Sequence, residues 1–147
     1  MKKFFVSLSL LLTAAASTAF ATDKTKKDPG LQEVFQQEFT GAQNVSWSQQ
    51  EGYQKATFIL AGHRAIAFFN EANELVGCIR DIFYDQLPIT VMKAVDKKFP
   101  EADMQDVREI TNNEGTFYTV TAELNLKKYK IKIGSAGDIT EIEKLSK

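Results

Sequence analysis

The chain has one cysteine, one histidine and one tryptophan among its 147 residues, and these shortages exclude more chemistry than its motifs supply. A lone Cys78 forms no internal disulfide, so stability must come from a hydrophobic core, for which eleven Phe and four Tyr are an adequate supply. With a single His and a single Cys, a transition-metal site would have to be built mainly from carboxylates. A Ser-His-Asp arrangement would have to use His63. That residue stands in Ala61-Gly62-His63-Arg64, a hairpin turn by composition, where an exposed polar side chain needs no further explanation. The G-x-S-x-G, H-E-x-x-H and C-x-x-C signatures are missing. The oxygen-bearing run Asn70, Glu71, Asn73, Glu74 lacks EF-hand spacing and reads as a solvated turn. The 19 acidic residues leave paired-carboxylate chemistry open. The reading that follows is a non-enzyme with no catalytic residues, no cofactor and no metal.

Long apolar runs are also lacking. Phe4 to Leu12 is well short of the roughly 20 residues of a membrane span. Lys2 and Lys3 precede it, Ala19-Phe20-Ala21 supplies small residues at −3 and −1, and the polar run Thr22 to Lys27 follows. This is the pattern of a secretory signal peptide over residues 1–21, cleaved after Ala21. A lipoprotein would need a cysteine just after the apolar stretch, and Cys78 is far from it. The expectation is a periplasmic or secreted protein with no membrane anchor. Two lysines leave with the signal, so the formal balance becomes 16 basic against 19 acidic residues, or −3. Such a chain has no electrostatic footprint for nucleic acid.

The remaining residues alternate between helical and strand periods. Residues 22–28 read as a linker. Asp28 fits an N-cap and Pro29 the first helical position, with Leu31, Val34, Phe35, Glu38 and Phe39 on one face and Gly41 as the stop. Strand-like runs follow at Val45 to Ser48, Tyr53 to Leu60, Arg64 to Phe69 and Leu75 to Tyr84. Pro88 then fits the first position of a second helix faced by Val91, Met92, Val95 and Phe99, with Lys97 and Lys98 at its C-terminal end and Pro100 beyond. Four more runs come at Asp106 to Thr111, Thr116 to Leu124, Lys128 to Ile133 and Asp138 to Glu143.

Phe39 answers Phe99, and Phe69 to Leu75 answers Ile133 to Ile139, as an internal duplication would have it. The halves are 29–85 and 86–147. The predicted fold is α+β: a tandem α-β repeat forming one antiparallel sheet of about eight strands, with both helices on one face. Cys78 lies in an apolar strand-like run and is expected to be a buried, inert thiol.

Several of these elements fall in a known order: the helix ending at Phe39, Val45-Ser46-Trp47, Tyr53 with Ala56 and Phe58, the Phe69 to Leu75 turn, Leu87-Pro88, Phe99-Pro100, the Gly115 to Tyr118 hairpin and Gly137-Asp138-Ile139. From about residue 29 to 145 the chain resembles the PepSY-like family of bacterial periplasmic proteins, whose fold is similar to that of the β-lactamase inhibitor protein. The resemblance implies a small exported protein without known chemistry. The related PepSY domain is associated with restraining peptidases, and the inhibitor fold binds its enzyme on the exposed sheet face. No functional residues are carried over from the family.

One feature points to a site. If Ala65, Ala67 and Phe69 match Tyr129, Ile131 and Ile133 and face the helices, then Ile66, Phe68 and Phe117 point to the open face. There they would join Thr119, Thr121, Lys130 and Lys132, and aromatic residues on an open sheet mark a contact surface. The alternatives are a face covered by a loop or a second copy, or a parity shifted by one. The leading reading is a binding module for a periplasmic protein or peptide, inhibitory in the manner of the fold. The second is a small-ligand or envelope-stress binding protein with a pocket between sheet and helices.

Overall fold

The computed structural model describes residues 28–145; the signal peptide and its cleavage site lie outside them. The first helix, α1 (Pro29–Glu38), starts where Asp28 accepts a 3.0 Å hydrogen bond from the Gly30 amide. Helix α2 (Ile89–Lys98) starts one residue later than expected. Pro88 is extended at ψ 141° and serves as the cap rather than the first helical residue. Both helices end on a phenylalanine whose amide reaches back four residues, Phe39 to the Phe35 carbonyl and Phe99 to the Val95 carbonyl.

Strands β1 (Gln43–Gln50), β2 (Tyr53–Leu60), β3 (His63–Phe69) and β4 (Leu75–Asp81) follow α1, and β5 (Asp103–Asn112), β6 (Gly115–Leu124), β7 (Lys127–Gly134) and β8 (Ile139–Leu145) follow α2. They form one antiparallel sheet in chain order, β1 at one edge and β8 at the other. Strand β4 is shorter than its apolar run. It stops at Asp81 because Tyr84 turns away into a 3-10 turn (Tyr84–Gln86), its hydroxyl 2.7 Å from Asp96 Oδ1 on α2. Strand β5 is longer than expected, since the irregularity at Asp106, with φ +46°, is a bulge within the strand rather than its start. The β1–β2 turn places Glu51 and Gly52 both at positive φ, the hairpin geometry whose twist matches that of the flanking strands.

The register fixes which residues share a face. Ala67 pairs with Cys78, Cys78 with Thr111, and Thr111 with Thr116, so the α1 side of β3 is the same side as Thr116, Tyr118 and Val120 of β6. Leu31 and Phe35 of α1 pack on Ala56, Phe58, Ala65, Ala67 and Phe69. On that same face Val91, Val95 and Phe99 pack on Tyr118, Val120, Ala122, Ile131 and Ile133. Both helices therefore cover one side of a single sheet, as the alternation required.

The cover is in two pieces. Between them, on β4 and β5, the helix side carries polar side chains: Arg80 Nη2 is 2.9 Å from Glu109 Oε1, and the Tyr118 hydroxyl is 3.4 Å from Glu109 Oε2. Cys78 stands in this gap and is half-buried, not buried as expected, because neither helix reaches it.

Candidate partner-binding face

The uncovered face is organised by four directly opposed residues. Ile66 pairs with Ile79, Ile79 with Ile110, and Ile110 with Phe117, a continuous apolar row across β3, β4, β5 and β6. All four are half-buried. One row over, Arg64 and Arg108 reach the same carboxylate, Asp81, at 3.7 and 3.2 Å. Beyond Phe117 the face is charged: Lys132 stands opposite Glu141 and Lys130 opposite Glu143. The Lys132 ammonium lies 4.4 Å from the centroid of the Phe117 ring, a cation–π contact across neighbouring strands. Ile110, Phe117 and Thr119 form the base, and Lys130, Lys132 and Glu141 the rim, of a 210 Å³ depression.

All seven residues predicted for this face lie on it. Phe117, Thr119, Lys130 and Lys132 meet at the depression. Thr121 adjoins them opposite Lys130, and Ile66 is joined to Phe117 through the apolar row. Phe68 sits apart, opposite Lys55 and Gly77. Two expectations need correction. Thr119 and Thr121 are not exposed but 8% and 7% accessible, since short side chains on β6 are shadowed by longer ones beside them: Arg108 and Lys132 flank Thr119, and Gln105 and Lys130 flank Thr121. Phe68 and Phe117 are half-buried rather than exposed. Ile79 and Ile110, which complete the row, were missed. Their signal is the alternation Gly77-Ile79-Asp81 and Arg108-Ile110-Asn112, hidden in β4 by a run that is apolar on both faces.

The helix side offers a different kind of space. Cavities of 240 and 320 Å³ lie beside α1, both touching Trp47: the larger is between α1 and β1, and the smaller runs from α1 and β1 past Gln54 of β2 to the β3–β4 turn. At the smaller, Asp28 Oδ2 accepts a 2.8 Å bond from Asn73. That bond and the one from the Gly30 amide hold the Asp28 carboxyl below the usual carboxylate range. Within the Asn70–Glu74 turn, Asn70 Oδ1 accepts from the amides of Ala72 and Glu74. His63 lies half-buried with its ring 5.2 Å from that of Phe83. Among the described residues no group of three or more His, Cys, Asp or Glu side chains could hold a metal ion, and no helix is long and apolar enough to cross a membrane.

No family model matches the sequence, and no curated protein does. Solved structures do. A DUF2874 family protein from Bacteroides uniformis ATCC 8492 superposes with a TM-score of 0.72 at 22% identity, covering 80% of this chain and 89% of that one. A BLIP-like protein from Bacteroides fragilis NCTC 9343 gives 0.71 at 19% identity, with 85% and 93% covered. A candidate periplasmic protein from Bacteroides eggerthii DSM 20697 gives 0.71 at 20% identity, with 80% and 88% covered. The chain has a BLIP-like fold.

Proposed function

We propose that this is an exported, non-enzymatic binding module of the PepSY-like kind, which engages a periplasmic protein or peptide through the uncovered sheet face. The observation that carries the reading is the apolar row from Ile66 to Phe117, bounded by charged residues on both sides and faced by neither helix. A desolvated apolar centre within a polar rim is the usual anatomy of a protein contact. Inhibition of the bound partner is the role the resemblance implies. The test is retention of a partner from periplasmic extract by immobilised protein and by its Phe68→Ala and Phe117→Ala variants. The reading expects one partner, held by the wild type and released by the variants while their unfolding midpoints stay near the wild-type value. Equal retention by all three proteins would sink it.

A second reading, a small-ligand or envelope-stress binding protein, draws on the cavities beside α1. The 240 Å³ one is below, and the 320 Å³ one just above, the roughly 300 Å³ at which small-molecule pockets usually begin. A thermal-shift panel of metals, lipids and peptidoglycan fragments tests it. A saturable rise in unfolding temperature would favour it over the first reading.

A further inference from the structure

The two edges of the sheet differ. Strand β8 carries Glu141, Glu143 and Lys144, and charges on an edge strand discourage pairing with another chain. Strand β1 has no charged residue and no proline, and its bulge is confined to the stretch between Gln43 and Ser46. The Glu51-Gly52 turn determines which backbone groups of β1 face outward. In a two-residue hairpin the residues flanking the turn exchange hydrogen bonds, here Gln50 with Tyr53, and so does every second pair. Ser48 and Ser46 therefore bond to Lys55 and Thr57, whereas the amides and carbonyls of Trp47 and Gln49 point away from β2. Among the described residues no strand pairs with them.

Beside these groups runs the groove between β1 and α1. Trp47 divides it: Leu31 and Gln49 line one cavity, which continues inward past Gln54 to Glu71 of the β3–β4 turn, and Phe35, Phe39 and Val45 line the other. We propose that β1 is a docking strand: an extended peptide adds to its free edge and seats two same-side apolar side chains in the cavities flanking Trp47. Side chains on one side of a strand recur every about 7 Å, so one added strand presents alternate residues along the groove. Main-chain bonds then supply affinity and the two cavities supply selectivity.

The lining also states the partner's chemistry. Among the described residues the only charged ones on either cavity are Asp28 and Glu71, both at the same one, so the peptide carries a basic residue at that end. A second copy of the chain fits less well. It would bring its own α1 alongside, and the outward residues of α1 on this groove are the exposed amides Gln32 and Gln36, which offer no apolar contact. This site is on the opposite face from the Ile66–Phe117 row, so the two proposals stand or fall separately.

Trp47 is the sole tryptophan, so its emission reports on the groove directly. The probes are acetylated peptides of alternating Leu and Thr with Lys or Glu at either end, and the same peptides N-methylated on the amides that would face β1. A saturable change in emission is expected, strongest with a Lys-ended peptide and weakened about tenfold or more by N-methylation. Gln49→Pro removes one outward amide and leaves the bonds to β2 in place, and Gln36→Phe fills one cavity from an exposed helix position. Both should weaken binding without dissociating or unfolding the protein. If either fails to fold, the N-methylated peptides still decide. No saturable change with any peptide, or binding indifferent to N-methylation, overturns the proposal. So does a wild-type dimer that Gln49→Pro splits, which would give the edge to a second copy.

Discussion

Asn73 Nδ2 donates a 2.8 Å hydrogen bond to Asp28 Oδ2, tying the β3–β4 turn to the N-cap of α1 across 45 residues of chain. The same carboxylate accepts from the Gly30 amide, so one side chain caps the helix and anchors the turn. A protonated carboxyl keeps only one good acceptor oxygen, so the two bonds together favour the ionised form and lower the Asp28 pKa from its ordinary 3.8, the Asn73 bond contributing most. A carboxylate with a lowered folded pKa adds stability above its unfolded value and loses it as pH falls through the folded one. Asn73→Ala should therefore shift the urea midpoint at neutral pH and flatten its decline below about pH 4. An acid limb parallel to the wild type's would remove the role assigned to this bond.

The second half makes the corresponding contact with a turn backbone. The Gly134–Asp138 turn repeats the two backbone bonds of the Asn70–Glu74 turn without its Asn70 side-chain bonds, and Thr90 Oγ1 at the start of α2 donates to the Ser135 carbonyl at 3.3 Å. Gly137 sits at φ +93°, and a Cβ there would stand 2.7 Å from the Thr90 carbonyl oxygen. Gly137→Ala combines left-handed strain with a backbone clash and should cost about 2–4 kcal/mol. Gly62→Ala is the control: φ is +81° with nothing within 4 Å, so strain alone remains, about 1–2 kcal/mol. Equal losses in denaturant titrations would show that the α2 contact contributes nothing.

How much of this was legible in the sequence follows from what each signal depends on. Pro29, Pro88 and Pro100 mark helix ends because the ring acts locally, and Val120 and Ile131 declare their face because both neighbours of each are polar. Thr119 and Thr121 were placed on the correct face but given the wrong exposure, since their burial comes from Arg108, Gln105, Lys130 and Lys132 on neighbouring strands. Cys78 was misjudged for a related reason. Its run is apolar on both sides, and whether a helix covers it depends on where α1 and α2 end. The β1 edge groove was invisible, because Trp47 reads simply as core until α1 is placed beside it.

The β6–β7 turn is a place where the sequence opposes its own geometry. Asn125 and Leu126 both have positive φ, at 51° and 63°, and Leu126 is 75% exposed. Asparagine tolerates this conformation, but leucine pays for it with no burial in return. Leu126→Gly should raise stability by about 0.5–1 kcal/mol, because the relief of strain exceeds the added freedom of the unfolded chain. An unchanged or lower thermal midpoint would count against the turn geometry.

Cys78, though half-buried, has its thiol pKa pushed above the ordinary 9.0, mainly by burial, with Arg80 pulling it down and Glu109 pushing it up. A raised thiol pKa favours the neutral folded form. Stability is then intact below about pH 8.5 and falls as the unfolded chain ionises first. Burial also raises Tyr84 and Tyr118, which extend the loss above about pH 10. Labelling of native Cys78 should be slower than that of an unfolded control at pH 8, and Cys78→Ala should delay the onset of the alkaline loss. Labelling as fast as the control would mean that the gap between the helices leaves the thiol in water.

Phe99 and Phe68 stand on opposite faces of the sheet and separate core from candidate surface. Phe99 closes α2, is 7% exposed, and packs with its ring 5.3 Å from that of Tyr129 beside Val91 and Val95. Its truncation removes a ring from a packed layer that can collapse little, because α2 is held at its other end by Thr90 against the β7–β8 turn. Phe99→Ala should cost about 3–5 kcal/mol, visible as a lower urea midpoint at unchanged slope. Phe68 is half-buried on the uncovered face, opposite a glycine, so its removal exposes no packed layer. Phe68→Ala should cost about 1 kcal/mol or less, since only part of its area leaves water on folding. Measured side by side, a Phe68 cost equal to that of Phe99 would mean that this part of the face belongs to the structural core, and the proposed partner surface would keep Phe117 alone as its aromatic residue.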